Sequence, residues 1–272
     1  PIRTWFKSIQ KAWVFFMKEI MMESILFVYP MQNSLNNLNF NNKNFMFRKQ
    51  ILFQLILLLF SKSAIHAQDW ANFNKFKVDN EALLPVKESE ERIVFMGNSI
   101  TIGWLNTHPE FFKDKPYVNR GISGQTTPQM LVRFRADVID IDAKVVVILA
   151  GTNDIAGNTG PSTLKMIVDN LKSMTEIARA NGVKVIFCSV LPAFDYPWRP
   201  GLEPNVKIPK LNTLIKSYAE ENEVYYLDYF SVLNNGENGI DKEFSYDGVH
   251  LTLEGYKLLE PMVEQAIKKV LN

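Results

Sequence analysis

One cysteine and three histidines are few for 272 residues. Cys188, being single, excludes an internal disulfide. It lies within the apolar run 183–190 and reads as a buried core thiol. No His and Cys stand at metal-ligand spacing, so neither a metal nor a cofactor is expected. The chain lacks a Gly-x-Gly-x-x-Gly turn after its first apolar strand, and it lacks a Gly-rich loop ending in Gly-Lys-Ser/Thr. Dinucleotide and P-loop chemistry are therefore not favoured. No basic patch interleaved with aromatics is present, which argues against nucleic acid as a partner. There is no internal repeat.

Long apolar runs are also missing. The most continuous one, residues 51–60, has ten residues broken only by Gln54, too few to span a bilayer. It follows a short basic start at 46–50 and precedes a small, polar stretch ending Ala-Ile-His-Ala at Ala67. That three-part pattern is a secretory signal, with cleavage expected after Ala67. Export to the periplasm or the outside follows, with no stable membrane span in the mature chain. Residues 1–45 open with Pro1 and turn Asn-rich after Gln32; they read as a leader outside the working protein, with Met46 as its start. Charge divides in the same place. Residues 1–67 hold eight basic and two acidic side chains, leaving 22 and 27 for the remainder, a net of −5. The working domain is therefore expected to be residues 68–272.

What is present has a rhythm of strand and helix repeated about five times. Apolar runs at 93–96, 145–150, 183–190 and 224–227 predict strands, with a shorter one at 117–119. Each main run is apolar on both faces, as in a parallel sheet covered by helices on both sides. Between them the spacing predicts a short helix near 71–76 and one opening at Ile100. A third runs from Pro128 to about Asp140 with Met130, Leu131, Phe134 and Val138 on one side. A long helix starts at Pro161 with Leu164, Ile167, Val168, Leu171, Met174 and Ala178 inward. Further helices are expected over 206–222 and after Thr252, the last with Leu259, Met262, Val263 and Ile267 inward and a kink at Pro261. Residues 230–246 read as a long loop. In such sheets, ligands bind beyond the carboxyl ends of the strands.

Residues 92–104 organise the rest. A buried strand stops at Gly97, Ser99 follows, and a helix opens behind it. That turn presents a hydroxyl, and the first helical N–H groups face the negative charge that develops on attack. A plain βα turn has the same pattern. A serine nucleophile needs a base, and the histidines narrow the choice. His66 lies in the leader, and His108, in a polar turn, reads as a solvated loop residue. His250 remains, with Asp247 three residues before it to hold the imidazole. Asn153, just past a buried strand, and Gly124, in a Gly/Ser/Thr loop, can supply N–H donors to an oxyanion, with the N–H of Ser99 as a third. Singly, Asn153 could cap a turn and Gly124 could merely bend one. All of them are due at one sheet edge.

These blocks, Gly-Asn-Ser-Ile-Thr with Ser99, Ser-Gly-Gln-Thr with Gly124, Gly-Thr-Asn-Asp with Asn153 and Asp-Gly-Val-His with Asp247 and His250, resemble the SGNH, or GDSL-like, family of serine esterases and lipases. The resemblance runs from about Arg92 to the C-terminus. It implies a three-layer α/β/α sandwich around a mostly parallel five-stranded sheet of flavodoxin-like order. It also implies a Ser99–His250–Asp247 triad and an oxyanion hole from Ser99, Gly124 and Asn153. One position departs: the first block usually reads Gly-Asp-Ser, and residue 98 is Asn. The Gly-x-Ser-x-Gly elbow of α/β-hydrolases is not met, because residue 101 is Thr. The family spans acetyl esters on carbohydrates, short-chain esters, lysophospholipids and thioesters. Export favours an external glycan or small ester, and Trp198 and Arg199 in a Pro-rich loop offer an aromatic platform and a cation. A lysophospholipase or thioesterase, and a glycan-binding module without catalysis, are the alternatives.

Overall fold

The computed structural model describes residues 49–52, 69–83 and 90–272. The chain divides into two units, Pro1–His66 and Ala67–Asn272. In the first, residues 49–52 form a helical turn. The expected leader and signal segment otherwise lie outside the described residues. Among the described residues, no helix is long and apolar enough to cross a membrane.

The second unit is built on five parallel strands. A 3₁₀ turn (Phe73–Lys75) and helix α1 (Lys77–Ala82) precede β1 (Ile93–Gly97), which runs into α2 (Ser99–Thr107). After a second 3₁₀ turn (Pro109–Phe111) come β2 (Tyr117–Gly121), α3 (Thr127–Phe134, extended by a π turn over Arg135–Ile139) and β3 (Val145–Leu149). There follow α4 (Thr152–Ile155), α5 (Leu164–Ala180), β4 (Lys184–Cys188), α6 (Pro204–Glu221), β5 (Tyr225–Leu227), α7 (Phe230–Leu233) and α8 (Leu253–Leu271). The strand order is β2-β1-β3-β4-β5, every pairing parallel. This is the flavodoxin-like α/β arrangement expected.

Strand periodicity sorts the core into two layers. Val94, Met96, Val146 and Ile148 pack on one face against Met130 and Phe134 of α3, Ile167 and Leu171 of α5, and Leu211 of α6. Ile93, Phe95, Val145 and Val147 pack on the other against Trp104 of α2 and Leu259, Val263 and Ile267 of α8. β1 and β3 are buried along their whole length, which is why they read as unbroken apolar runs rather than alternating ones. The chain leaves β1 in one direction to form β2 and then returns past it to β3. The β1/β3 boundary is thus the topological switch point where such folds open a crevice.

Several boundaries differ from expectation. Near the start, Asn72 takes a left-handed φ of 57° and the Asp69 carboxylate accepts from Phe73 N–H, so only a 3₁₀ turn forms there; the α-helix begins at Lys77. The long helix starts at Leu164, not Pro161, because Thr163 caps it by accepting from Met166 N–H. The stretch 230–246 carries α7 and a bridge between Asn234 and Ile240. α8 is a continuous helix through Pro261. Cys188 is buried in the core. His108 is not a free loop residue: it is partly buried, its Nδ1 lies 2.6 Å from Glu260 Oε1, and that oxygen also accepts from Trp104 Nε1 at 3.1 Å.

Candidate active site

Strand register brings three loops to one edge. Gly97 pairs with Gly121 on one side and Leu149 on the other, so the turns at 97, 121 and 149 leave the sheet at the same level. Gly121 must be glycine for steric reasons. A Cβ there would meet Ile102 N at 2.3 Å and Asn98 O at 2.9 Å, so β2 lies directly against the first turn of α2. Ser99 opens that turn. Asn98 caps it, its Oδ1 accepting from Ile100 N–H at 3.1 Å while its side chain stays buried. An Asp carboxylate could accept that bond too, so replacing the usual Asp with Asn keeps the cap and omits a buried charge.

His250 and Asp247 come from a tight turn at residues 245–251, just before α8. Asp247 Oδ1 accepts from Val249 N–H (2.9 Å) and His250 N–H (2.7 Å), and Gly248 takes a φ of 84° to close the turn. The other oxygen, Oδ2, lies 2.7 Å from His250 Nδ1, and His250 Nε2 lies 2.9 Å from Ser99 Oγ. One carboxylate therefore shapes the turn and orients the ring. Partial burial pushes the Asp247 carboxyl up, but the hydrogen bonds from His250 and Val249 outweigh it and hold it below its usual value. It stays ionised at neutral pH, able to offset a positive imidazole.

The second and third loops are stapled together. Asn153, buried at the start of α4, donates from Nδ2 to Gln125 O at 3.0 Å. Asn158 Nδ2 donates to Gly124 O at 3.0 Å, and Asp154 accepts from both the N–H and the hydroxyl of Thr127. Gly124 is exposed, with a φ of 77° that favours glycine. Burial pushes the Asp154 carboxyl up to about 6, against the lowering pull of its Thr127 bonds. Among the described residues, no group of three His, Cys, Asp or Glu could hold a metal.

At the switch point, then, Ser99, His250 and Asp247 form one chain of contacts beside the two loops that carry Gly124 and Asn153. The family model of the GDSL-like lipase/acylhydrolases matches residues 95–258. The chain belongs to that family. Membership makes it a hydrolase of carboxylic esters. A Bacteroides fragilis crystal structure described as an acylhydrolase is 45% identical, with a TM-score of 0.73 over 75% of this chain and 100% of that one. A GDSL-like lipase of Bacteroides thetaiotaomicron is 44% identical, with a TM-score of 0.72 over 74% and 99%. Esterase TesA of Pseudomonas aeruginosa is 26% identical over 202 residues, 70% of this chain and 94% of that protein. An uncharacterised lipoprotein of Bacillus subtilis, YqeF, is 37% identical over 81 residues, a stretch covering 33% of its length.

Of the site residues the GDSL-like chain was expected to use, Ser99, His250 and Asp247 are joined directly, and Asn153 bonds to the carbonyl of Gln125, the residue after Gly124. Trp198 is half-exposed with its ring 6.0 Å from that of His250, and it stacks on Tyr196 at 5.2 Å. Arg199 is occupied elsewhere: its Nη1 donates to Ala156 O and Gly157 O, pinning the loop behind α4. Tyr246 was not foreseen. It is 71% exposed and stacks on the His250 ring at 5.9 Å and 12°. Its one signal in the sequence is its place four residues before the histidine, in the same turn.

Proposed function

We propose that this chain is an exported serine esterase that removes short acyl groups, acetyl foremost, from carbohydrate esters. The Ser99–His250–Asp247 chain of contacts at 2.9 and 2.7 Å carries the reading. Asp247 accepts from His250 Nδ1–H, which leaves Nε2 free to accept the Ser99 proton. Ser99 Oγ attacks the ester carbonyl, and the oxyanion is held by the N–H groups of Ser99 and Gly124 and by Asn153 Nδ2. The proton on Nε2 passes to the departing alcohol. Water then gives a proton to Nε2, attacks the acyl-enzyme and releases the acid and Ser99. The route calls on no metal or cofactor.

The sugar side of the reading rests on exposed aromatics around the base. Trp198 and Tyr246 flank His250, and Phe194 opens onto a hollow of ≈ 310 Å³ that reaches Asp247 and Gly248. Flat apolar faces beside polar groups suit a pyranose ring. The name of the esterase relative agrees with ester hydrolysis. Export rests on the signal pattern at 46–67.

The test is a panel of p-nitrophenyl esters of rising chain length, with Ser99→Ala as control. Acetate should turn over fastest, and Ser99→Ala should lose at least about 1000-fold in kcat. Equal rates for Ser99→Ala and wild type would sink the triad. A maximum at long chains would move the reading to lysophospholipids or acyl thioesters. No turnover of any ester would favour a glycan-binding role.

A further inference from the structure

Three buried groups converge on a residue that the reaction does not touch. Gln125 is 3% exposed. Its backbone carbonyl accepts from Asn153 Nδ2 at 3.0 Å. Its side-chain oxygen accepts from Arg133 Nε at 2.6 Å, and its Nε2 donates to Ala71 O at 2.8 Å. Arg133 is itself fully buried. Besides Gln125, it donates to Asp137 Oδ2 at 2.7 Å, to Arg120 O at 2.8 Å and to Gly97 O at 3.2 Å. One guanidinium thus joins the ends of β1 and β2 to the loop that follows β2. Burial lowers the Arg133 pKa, while the bond and charge of Asp137 oppose that shift, so the side chain keeps a partner for its charge inside the core.

We propose that Gln125, locked by Arg133, is the positioning residue of the oxyanion hole. The inference rests on the esterase reading, with Asn153 as a donor. A carboxamide has one face that donates and one that accepts, and turning it over exchanges them. With Gln125 O accepting one Nδ2 hydrogen, the amide of Asn153 is held donor-side to the loop. Turned over, Asn153 Oδ1 would face the carbonyl oxygen, lone pair against lone pair, and would offer an acceptor to a negative oxygen. Gly124 is the residue before Gln125, so a fixed Gln125 also limits where the second donor can lie. Arg133 and Ala71 hold the side chain from two directions, and Asn158 holds the Gly124 carbonyl from a third. Such rigidity matters because oxyanion donors act by being in place before the charge appears.

The measurement is a double-mutant cycle of Gln125→Met and Asn153→Ala on wild-type protein, read by kcat, KM and the Ki of a boronic acid. Boronates form a tetrahedral adduct on the serine and place an oxygen in the hole. Met keeps the side-chain volume and removes both bonds. Gln125→Met should lower kcat about tenfold and weaken the boronate by a similar factor, with KM within about twofold. In the Asn153→Ala background it should cost less than about threefold, because the residue acts through Asn153. If Gln125→Met does not fold, Arg133→Lys runs the same cycle, since it keeps the charge for Asp137 and loses the fork that reaches Gln125. Unchanged kcat and Ki, or fully additive losses, would overturn the proposal. So would a raised KM at constant kcat. Failure of the underlying reading looks different: Ser99→Ala would then retain activity, whatever Gln125 does.

Discussion

Asp154 stands beside Asn153 yet has a separate task. Its buried carboxyl holds the first turn of α3 by accepting from Thr127, and it titrates near 6 instead of the ordinary 3.8. The folded state therefore binds this proton more tightly than the unfolded chain does. The stabilisation it gives is complete below about pH 4 and is lost as pH rises through about 6. Asp154→Asn keeps an oxygen for Thr127 and is neutral throughout. Relative to wild type, the variant should gain about 2 kcal/mol in unfolding free energy between pH 4 and pH 7.5, read from urea melts. A flat difference would mean that the carboxyl stays ionised in the fold. At this scale the sequence was most legible where chemistry is rare. With three histidines, elimination reached His250, and spacing reached Asp247. Gln125 and Arg133 carried no comparable signal. A glutamine in a polar loop and an arginine on a helix are ordinary until the fold buries them against each other. Trp198 was visible as an aromatic in a Pro-rich loop, but the occupation of Arg199 by two carbonyls depends on where the 156–157 turn passes.

Secondary structure was legible in proportion to burial. β1, β3 and α5 announce themselves because their apolar patterns are dictated by two-faced or one-faced packing. The capping residues set the ends, and there the reading slipped. Pro161 looked like a helix start, whereas Thr163 performs that role two residues later. Close packing between elements was not legible at all. Gly121 ends β2, three residues before Gly124, and its reason for being glycine is the backbone of α2. Gly121→Ala would drive a methyl group into Ile102 N and Asn98 O, and neither can move without shifting the turn that carries Ser99. The expected loss is at least about 3 kcal/mol of stability, from the urea midpoint, together with a fall in kcat in the fraction that remains folded. A midpoint equal to wild type would show that β2 and α2 separate more easily than their contact suggests. Tyr256 makes a comparable link, its hydroxyl donating to Ile100 O at 2.8 Å. It ties α8, which follows His250, to α2, which carries Ser99, so the two residues ride on elements bonded to each other.

At the scale of the whole unit, the segment 69–83 behaves as a strap. Trp70 O accepts from Gln129 Nε2 and Ala71 O from Gln125 Nε2, each at 2.8 Å. Asn80 receives two bonds from Arg120 and donates to Asp137 Oδ1, while Arg92 Nη2 donates to Leu83 O. Phe76 is buried beneath the Arg120 guanidinium, 4.6 Å from ring centroid to Cζ. Without the strap, Gln125, Arg120 and Asp137 would lose partners while staying mostly enclosed, at about 1–3 kcal/mol apiece. This bears on the proposed export. Cleavage after Ala67 leaves every one of these contacts in place, and cleavage after Ala71 would remove the carbonyl that holds the Gln125 side chain. A chain beginning at Gln68 should therefore be fully active. One beginning at Glu90 should melt at least about 10 °C lower and lose kcat before it loses substrate affinity. N-terminal sequencing of the exported protein should begin at Gln68. Equal melting temperatures for the two chains would show that the strap lies on the body without holding it, and would leave the Gln125 side chain held by Arg133.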